Sequence, residues 1–259
     1  MRKMILILIF LISISTLKAQ DYSFRKNINK DSLFDASVNK LPQNMREKYI
    51  KEFKDGDEKS KEFLLFIISM PESSKKELIA NFEKKKNEIQ NLKNEYSKLI
   101  PKNHVIEIEF ESESKILNIP EQITIKIYKN QSNTEKSKNR SVVEKNDKLE
   151  LVSQHWNLKP DSKELDEILK TLNWTNQTLT QIKTLLKEAN CISIENGKVT
   201  TIGFARSGMG LYSYKIFETI LTLKQKTEYN NGCEYIYYKD NIVLEYGGGA
   251  FGPQCFEKE

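Results

Sequence analysis

Three cysteines, Cys191, Cys233 and Cys255, and two histidines, His104 and His155, are the residues from which nucleophilic, redox or metal chemistry would have to be built. No CxxC is present and no His stands near a Cys, so neither a dithiol relay nor a Cys–His nucleophile is indicated. A zinc site needs three or four converging N, S or O ligands, and the spacing supplies none. No metal and no cofactor is expected. His104 with Glu107 and Glu109 could suggest a cation site, but those two glutamates read as the outward residues of an alternating strand, and His155 beside Trp156 as packing. Ser207 lies in Arg206-Ser207-Gly208-Met209-Gly210, not in a GxSxG elbow, and no His follows it. No catalytic residue is assigned. Cys233 opens one strand of a hairpin, and Cys255 lies nine residues past the end of its partner strand at Tyr246. A returning tail would bring the two together, so a Cys233–Cys255 disulfide is expected with Cys191 a buried thiol. Pairing of Cys191 with either of the others stays open, because spacing alone does not set connectivity.

Seven of the ten glycines fall in residues 203–210 and 246–255. Such segments can cradle a ligand or simply turn the chain, and neither precedes a helix, so phosphate binding at a helix N-terminus is not expected. Phe204, Tyr212, Tyr214, Tyr235, Tyr237, Tyr246 and Phe251 crowd around them. Tyrosine on a sheet face buries a ring and keeps its hydroxyl wet, which suits recognition of a protein or saccharide. Arg206, Tyr212, Tyr214, Tyr246 and Phe251 are therefore the candidate binding residues, with Arg206 as the polar anchor. An enzyme would instead need paired carboxylates, and Glu195, Glu234 and Glu245 are the ones to watch.

The elements that must position these residues follow from periodicity. Short amphipathic helices fit residues 33–38 and 45–53. Residues 63–70 are apolar almost all round, which predicts a segment covered on every side. Ser74 and Glu77 form a capping-box signature, and Leu78, Phe82, Ile89, Leu92, Tyr96 and Leu99 then make one stripe, interrupted by Lys85, that reads as an intramolecular core seam. Period two takes over at Ile106, Ile108, Phe110 and again at Ile123, Ile125, Ile127, with a third strand at residues 148–153 and a polar loop at 129–147. Two helices follow, the first capped by Asp161 and Glu164. Asn196-Gly197 predicts a type I′ hairpin that sets Glu195 opposite Lys198, and strands at 211–217, 233–238 and 242–246 complete a meander.

The pattern of Ile202-Gly203-Phe204, Arg206 to Gly210, Tyr212, Tyr214 and Leu244 to Gly249 with Gly252-Pro253-Gln254-Cys255 resembles an uncharacterised family of exported bacterial proteins. The resemblance spans residues 161–256 and implies no activity. Two helices followed by an antiparallel sheet is similar in element order to secreted beta-lactamase-inhibitor and outer-membrane-lipoprotein folds, an analogy of fold alone.

Arg2 and Lys3 ahead of an apolar run at 4–14, ending in small residues at Ala19, predict a signal peptide over 1–19. The run is too short to span a bilayer, and no Cys follows the cut to take a lipid. Removing the three basic residues of that segment lowers the net charge from +5 to +2. Lys is interleaved with Glu throughout, so no basic face for nucleic acid is present. With 259 residues, one or two domains have room for a core. The expectation is an exported, periplasmic or extracellular α+β protein: a helical region at 20–103, antiparallel strands at 104–156, and an αα plus β-meander domain at 160–259. Its expected role is binding, as an inhibitor, immunity-like or envelope-assembly factor. A hydrolase on cell-wall polymer and a structural envelope component are the alternatives.

Overall fold

The structure, a computed structural model, describes residues 23–130, 149–247 and 255–256. The signal segment, most of the 129–147 tract, Phe251 and the tail glycines from Gly248 onward lie outside them. The described residues form seven helices and eight strands, an α+β arrangement.

Helices α1 (Lys30–Val38), α2 (Gln43–Asp55) and α3 (Glu58–Ile68) make a small unit. Asn29 and Asp57 cap α1 and α3 by accepting from the Ser32 and Ser60 amides, satisfying donors that no helix turn can reach. Phe34, Val38, Leu65 and Ile68 form its core, with Phe53 stacked on Phe34 at 3.9 Å between ring centroids. The expectation that 63–70 is covered on every side fails, since Phe63 is 67% exposed and only Leu65 and Ile68 are buried. One neighbouring layer takes one face, and nothing in this unit covers the other.

Helix α4 (Lys75–Leu99) carries both bonds of the Ser74–Glu77 capping box. Its stripe residues Leu78, Phe82, Ile89, Leu92 and Tyr96 are buried. Lys85, the polar break in the stripe, leaves helical geometry at φ −118°, ψ 20° and kinks the helix. A charged ammonium in the seam would lose its water, and Lys85 instead pairs with Glu88 at 3.0 Å.

The strands are β1 (His104–Glu111), β2 (Gln122–Asn130), β3 (Leu149–Leu158), β4 (Ser193–Asn196), β5 (Thr200–Ser207), β6 (Gly210–Ile216), β7 (Tyr235–Lys239) and β8 (Ile242–Gly247). They join in one antiparallel sheet, in the order β3-β2-β1-β4-β5-β6-β8-β7. The strands at 104–156 and the meander, expected as separate units, meet through the β1–β4 ladder, where Ile108 faces Ile194 and Glu107 faces Glu195. Helices α5 (Lys163–Thr171) and α6 (Asn176–Glu188) join α4 on one face of this sheet, over a single core that includes Ile106, Ile125, Ile194, Ile202 and Leu244. Polar staples fix the layers: the Tyr96 hydroxyl donates to Ile106 O at 3.0 Å, Trp174 Nε1 to Leu99 O at 2.7 Å, and the Tyr214 hydroxyl to Leu78 O at 2.8 Å.

Three local expectations are corrected. Ser162, rather than Asp161 and Glu164, caps α5, accepting from the Leu165 amide; Asp161 takes a positive φ of 62° just before it. The β4–β5 loop has three residues, and Glu195 pairs with Thr201 instead of Lys198. Asn196 is held in strand geometry because its side chain accepts from the Ile106 amide at 2.7 Å and donates to His104 O at 3.3 Å, continuing the β1 ladder. Trp156 is not packing beside His155: it is 55% exposed on edge strand β3, with the Lys126 ammonium 5.1 Å from its ring centroid. Cys233 and Cys255 form a disulfide, and Cys191 is free and buried, its thiol pushed up to about 12 by that burial.

Candidate functional site

A bulge in β5 decides where the candidate residues point. From Thr200 to Phe204 the even positions face the helices, with Ile202 opposite Tyr214. Between Gly203 and Ala205 the register slips by one residue, and a slip of one moves every later side chain to the other face. Arg206 thus leaves the helix-covered face and joins the open one, where Glu107, Glu109, Ser193 and Lys215 stand by alternation. Gly203 serves the same crossing, because a Cβ there would lie 2.1 Å from Ser193 Oγ.

On the open face Arg206 Nε donates to Glu109 Oε1 at 2.8 Å and Nη2 to Oε2 at 2.5 Å. Glu109 is only 2% exposed, although periodicity makes it an outward residue, since the guanidinium lies over it. Burial pushes its carboxyl up from the ordinary range, against the opposing pull of Arg206.

The Ser207-Gly208-Met209-Gly210 turn, with Gly208 at φ 54°, is stitched to the chain ahead of α4. Gly208 N donates to Pro71 O at 2.8 Å, Ser73 N to Ser207 Oγ at 3.1 Å, and that hydroxyl to Ser73 O at 3.1 Å. The same turn, the end of α3 and the β1–β2 connection enclose a cleft of about 630 Å³. Phe66, Met70, Ile116, Leu117 and Met209 supply apolar wall, and Arg206 and Glu111 supply its charged end. Ser69, Ser112, Ser114, Lys115, Gln122 and Asn157 line it as well, so the cleft joins an apolar wall to a polar one, and its volume lies in the range of small-ligand sites.

The other predicted binding residues do not assemble with Arg206. Tyr212 and Tyr214 are buried on the helix-covered face, so their placement on a recognition surface is corrected. Tyr214 is held between Leu78 O and Asn81 Nδ2. Tyr246 stacks on Tyr212 at 4.1 Å between centroids and donates its hydroxyl to Ser207 O at 3.1 Å, which commits it to bracing the turn. Tyr235 and Tyr237 belong to the opposite face from Tyr212 and Tyr214, so the strands share no single aromatic platform. The cleft's far wall, residues 111–122, gave no sequence signal beyond an irregular stretch between two strands.

The carboxylates do converge in part. Glu195 and Glu245 line a shallow recess of about 230 Å³ on the open face, together with Glu107 and Lys215. Glu107 is held by Lys126 at 2.9 Å and Glu245 by Lys215 at 3.3 Å. Glu234 stands at its margin, linked to Glu245 through the Tyr235 hydroxyl. Burial first, then the charge of Glu107, pushes the Glu195 carboxyl up. The ionised form of a group shifted this way opposes folding above its folded-state pKa. Glu195→Gln is therefore expected to raise Tm at pH 7. The gain should fade as the pH falls into the ordinary carboxylate range, where Glu195 is protonated folded and unfolded alike. A Tm difference independent of pH would contradict this.

Among the described residues no three His, Cys, Asp or Glu side chains are grouped to hold a metal ion, and no helix is long and apolar enough to cross a membrane. Comparison of the chain with known proteins finds no matching family model, no similar curated protein and no similar solved structure.

Proposed function

We propose that this is an exported binding protein whose ligand site is the cleft between the three-helix unit and the end of the sheet. One observation carries it: Arg206, a cation lining the cleft, is fixed from behind by a buried carboxylate. Burying Glu109 is costly, and a buried ion pair is often no more stabilising than apolar packing of the same volume. What the arrangement supplies is a guanidinium held in one orientation at the end of a cleft with one apolar wall, a preorganised recognition group. The turn that follows it is braced by Pro71, Ser73 and Tyr246, so the site stands on rigid elements.

The test is native purification of the mature, tagged chain from its own envelope and medium, with mass measurement before and after denaturation. A stoichiometric species should be retained by the wild-type chain and missing from Met209→Trp, which fills the cleft from the turn. Equal retention by Met209→Trp would overturn the assignment.

The recess around Glu195 favours a second reading, a hydrolase acting on surface polymer, because it sets a carboxylate with a raised pKa opposite Glu107. On this reading Glu195→Gln abolishes release of reducing ends from isolated cell wall. Unchanged release, or none from the wild type, removes it.

A further inference from the structure

Arg206 and Glu111 both line the cleft, and Glu109 holds Arg206 from behind. Arg206 uses Nε and Nη2 on Glu109, and among the described residues Nη1 has no partner. Its side chain keeps 33% exposure, and it lines the cleft. Glu111 is the next residue along β1 on the same face as Glu109 and also lines the cleft. Among the described residues it makes no ion pair: Glu113 at the rim is taken by Arg25, and Lys115 is exposed. With Glu109 committed to Arg206, one free guanidinium edge and one unpaired carboxylate stand at this end. A simple anion would meet Glu111 unfavourably, and a simple cation would leave the Arg206 edge unused. A free guanidinium edge and an unpaired carboxylate lining the same end match the carboxylate and ammonium that an amino acid bears on one carbon.

We propose that the cleft takes the head of an apolar α-amino acid, its carboxylate on Arg206 Nη1 and its ammonium on Glu111, with the side chain against Phe66, Met70, Ile116, Leu117 and Met209. This rests on the cleft being the ligand site. Glu109 is then a positioning residue, turning one edge of the guanidinium into the cleft. A carboxylate accepts two parallel bonds from an arginine edge, which gives orientation as well as energy. Apolar walls favour Leu- or Phe-like side chains over polar ones.

Isothermal titration of the mature protein with L-leucine and L-phenylalanine tests it. Saturable binding is expected, at least tenfold weaker for leucine amide, which lacks the carboxylate, and for N-acetylleucine, which lacks the ammonium. Glu111→Gln, a change at a partly exposed position, should weaken leucine at least tenfold and leave Tm unaltered. Leucyl-leucine, whose two charges lie farther apart, should bind more weakly than leucine. Absence of binding by both amino acids, equal binding of the blocked derivatives, or no effect of Glu111→Gln overturns the proposal. If amino acids fail while a retained species is still lost from Met209→Trp, the ligand class falls and the cleft stands. If Met209→Trp also changes nothing, both fall.

Discussion

Arg206→Ala is expected to lower the unfolding free energy by about 3 kcal/mol at neutral pH, because it leaves a buried carboxylate without its partner. Glu109 is 2% exposed and held by two charge-assisted bonds from that one side chain. Its folded pKa is already raised by burial with Arg206 in place, and without Arg206 it rises further. A folded carboxylate with a raised pKa costs stability above that pKa, and the cost is lost as the pH falls through it. The deficit of Arg206→Ala should therefore be largest at neutral pH and narrow as the pH falls into the ordinary carboxylate range. Urea titrations at several pH values measure it through the midpoint, with an unchanged slope showing that the unfolded state is unaltered. Glu109→Gln combined with Arg206→Ala should be milder than Arg206→Ala alone, because a neutral amide is left where a charge was. A deficit constant with pH, or a double variant equal to the sum of the singles, would show that the guanidinium acts only through its packing. Loss of ligand on Arg206→Ala has to be read with this cost in mind, which is why Glu111→Gln and Met209→Trp are the cleaner probes of the cleft.

The same pair marks the boundary of what periodicity reveals. The alternation at Ile106, Ile108 and Phe110 locates β1, and the capping box and apolar stripe locate α4, because each is a local property of a few consecutive residues. The face that Arg206 takes is not local. It depends on a one-residue slip at Gly203–Ala205, and the sequence around it reads equally well as an unbroken strand, in which Arg206 would share a face with Ile202 and Phe204. The aromatic platform drawn through Tyr212 and Tyr214 fails for a related reason. Both lie on one face, as alternation requires, but that face is the one α4 covers, and which face a helix takes is decided by contacts across residues 78–214 rather than by either segment.

The join between the two strand groups is likewise hidden. Glu107 meets Glu195 across 88 residues, and nothing in either strand names the other. What could have been noticed is Asn196. In an isolated hairpin, Asn before Gly favours a positive φ, whereas an Asn whose amide is needed by the backbone of a third strand stays extended. The cleft follows from this join, since its walls come from α3, the β1–β2 connection and the β5–β6 turn, which only the assembled sheet brings together.

Removing the Cys233–Cys255 bond, by Ala at both positions or by dithiothreitol, is expected to cost roughly 3 kcal/mol on the chain-entropy account of a loop this size. The two residues are 22 apart in sequence. For a chain of this length a loss of that size lowers Tm by about 6–12 °C. The bond also holds Phe256, which is 3% exposed, 5.6 Å from Tyr212 and 6.0 Å from Tyr246 between ring centroids. Its amide donates to Cys233 O at 2.9 Å. Opening the bond should therefore weaken the near-ultraviolet dichroism of the Tyr212–Tyr246 stack, and Phe256→Ala in the oxidised chain should reproduce that spectral change with a smaller loss of Tm. A shift of less than about 2 °C on reduction would mean that Phe256 and its amide hold the tail without the sulfurs. The free Cys191 thiol does not complicate the reading, since it is buried and raised to about 12, so little of it is thiolate at neutral pH to attack the bond. Chain made in a reducing compartment should show the lower Tm from the start and recover the higher one on oxidation, without passing through mispaired forms.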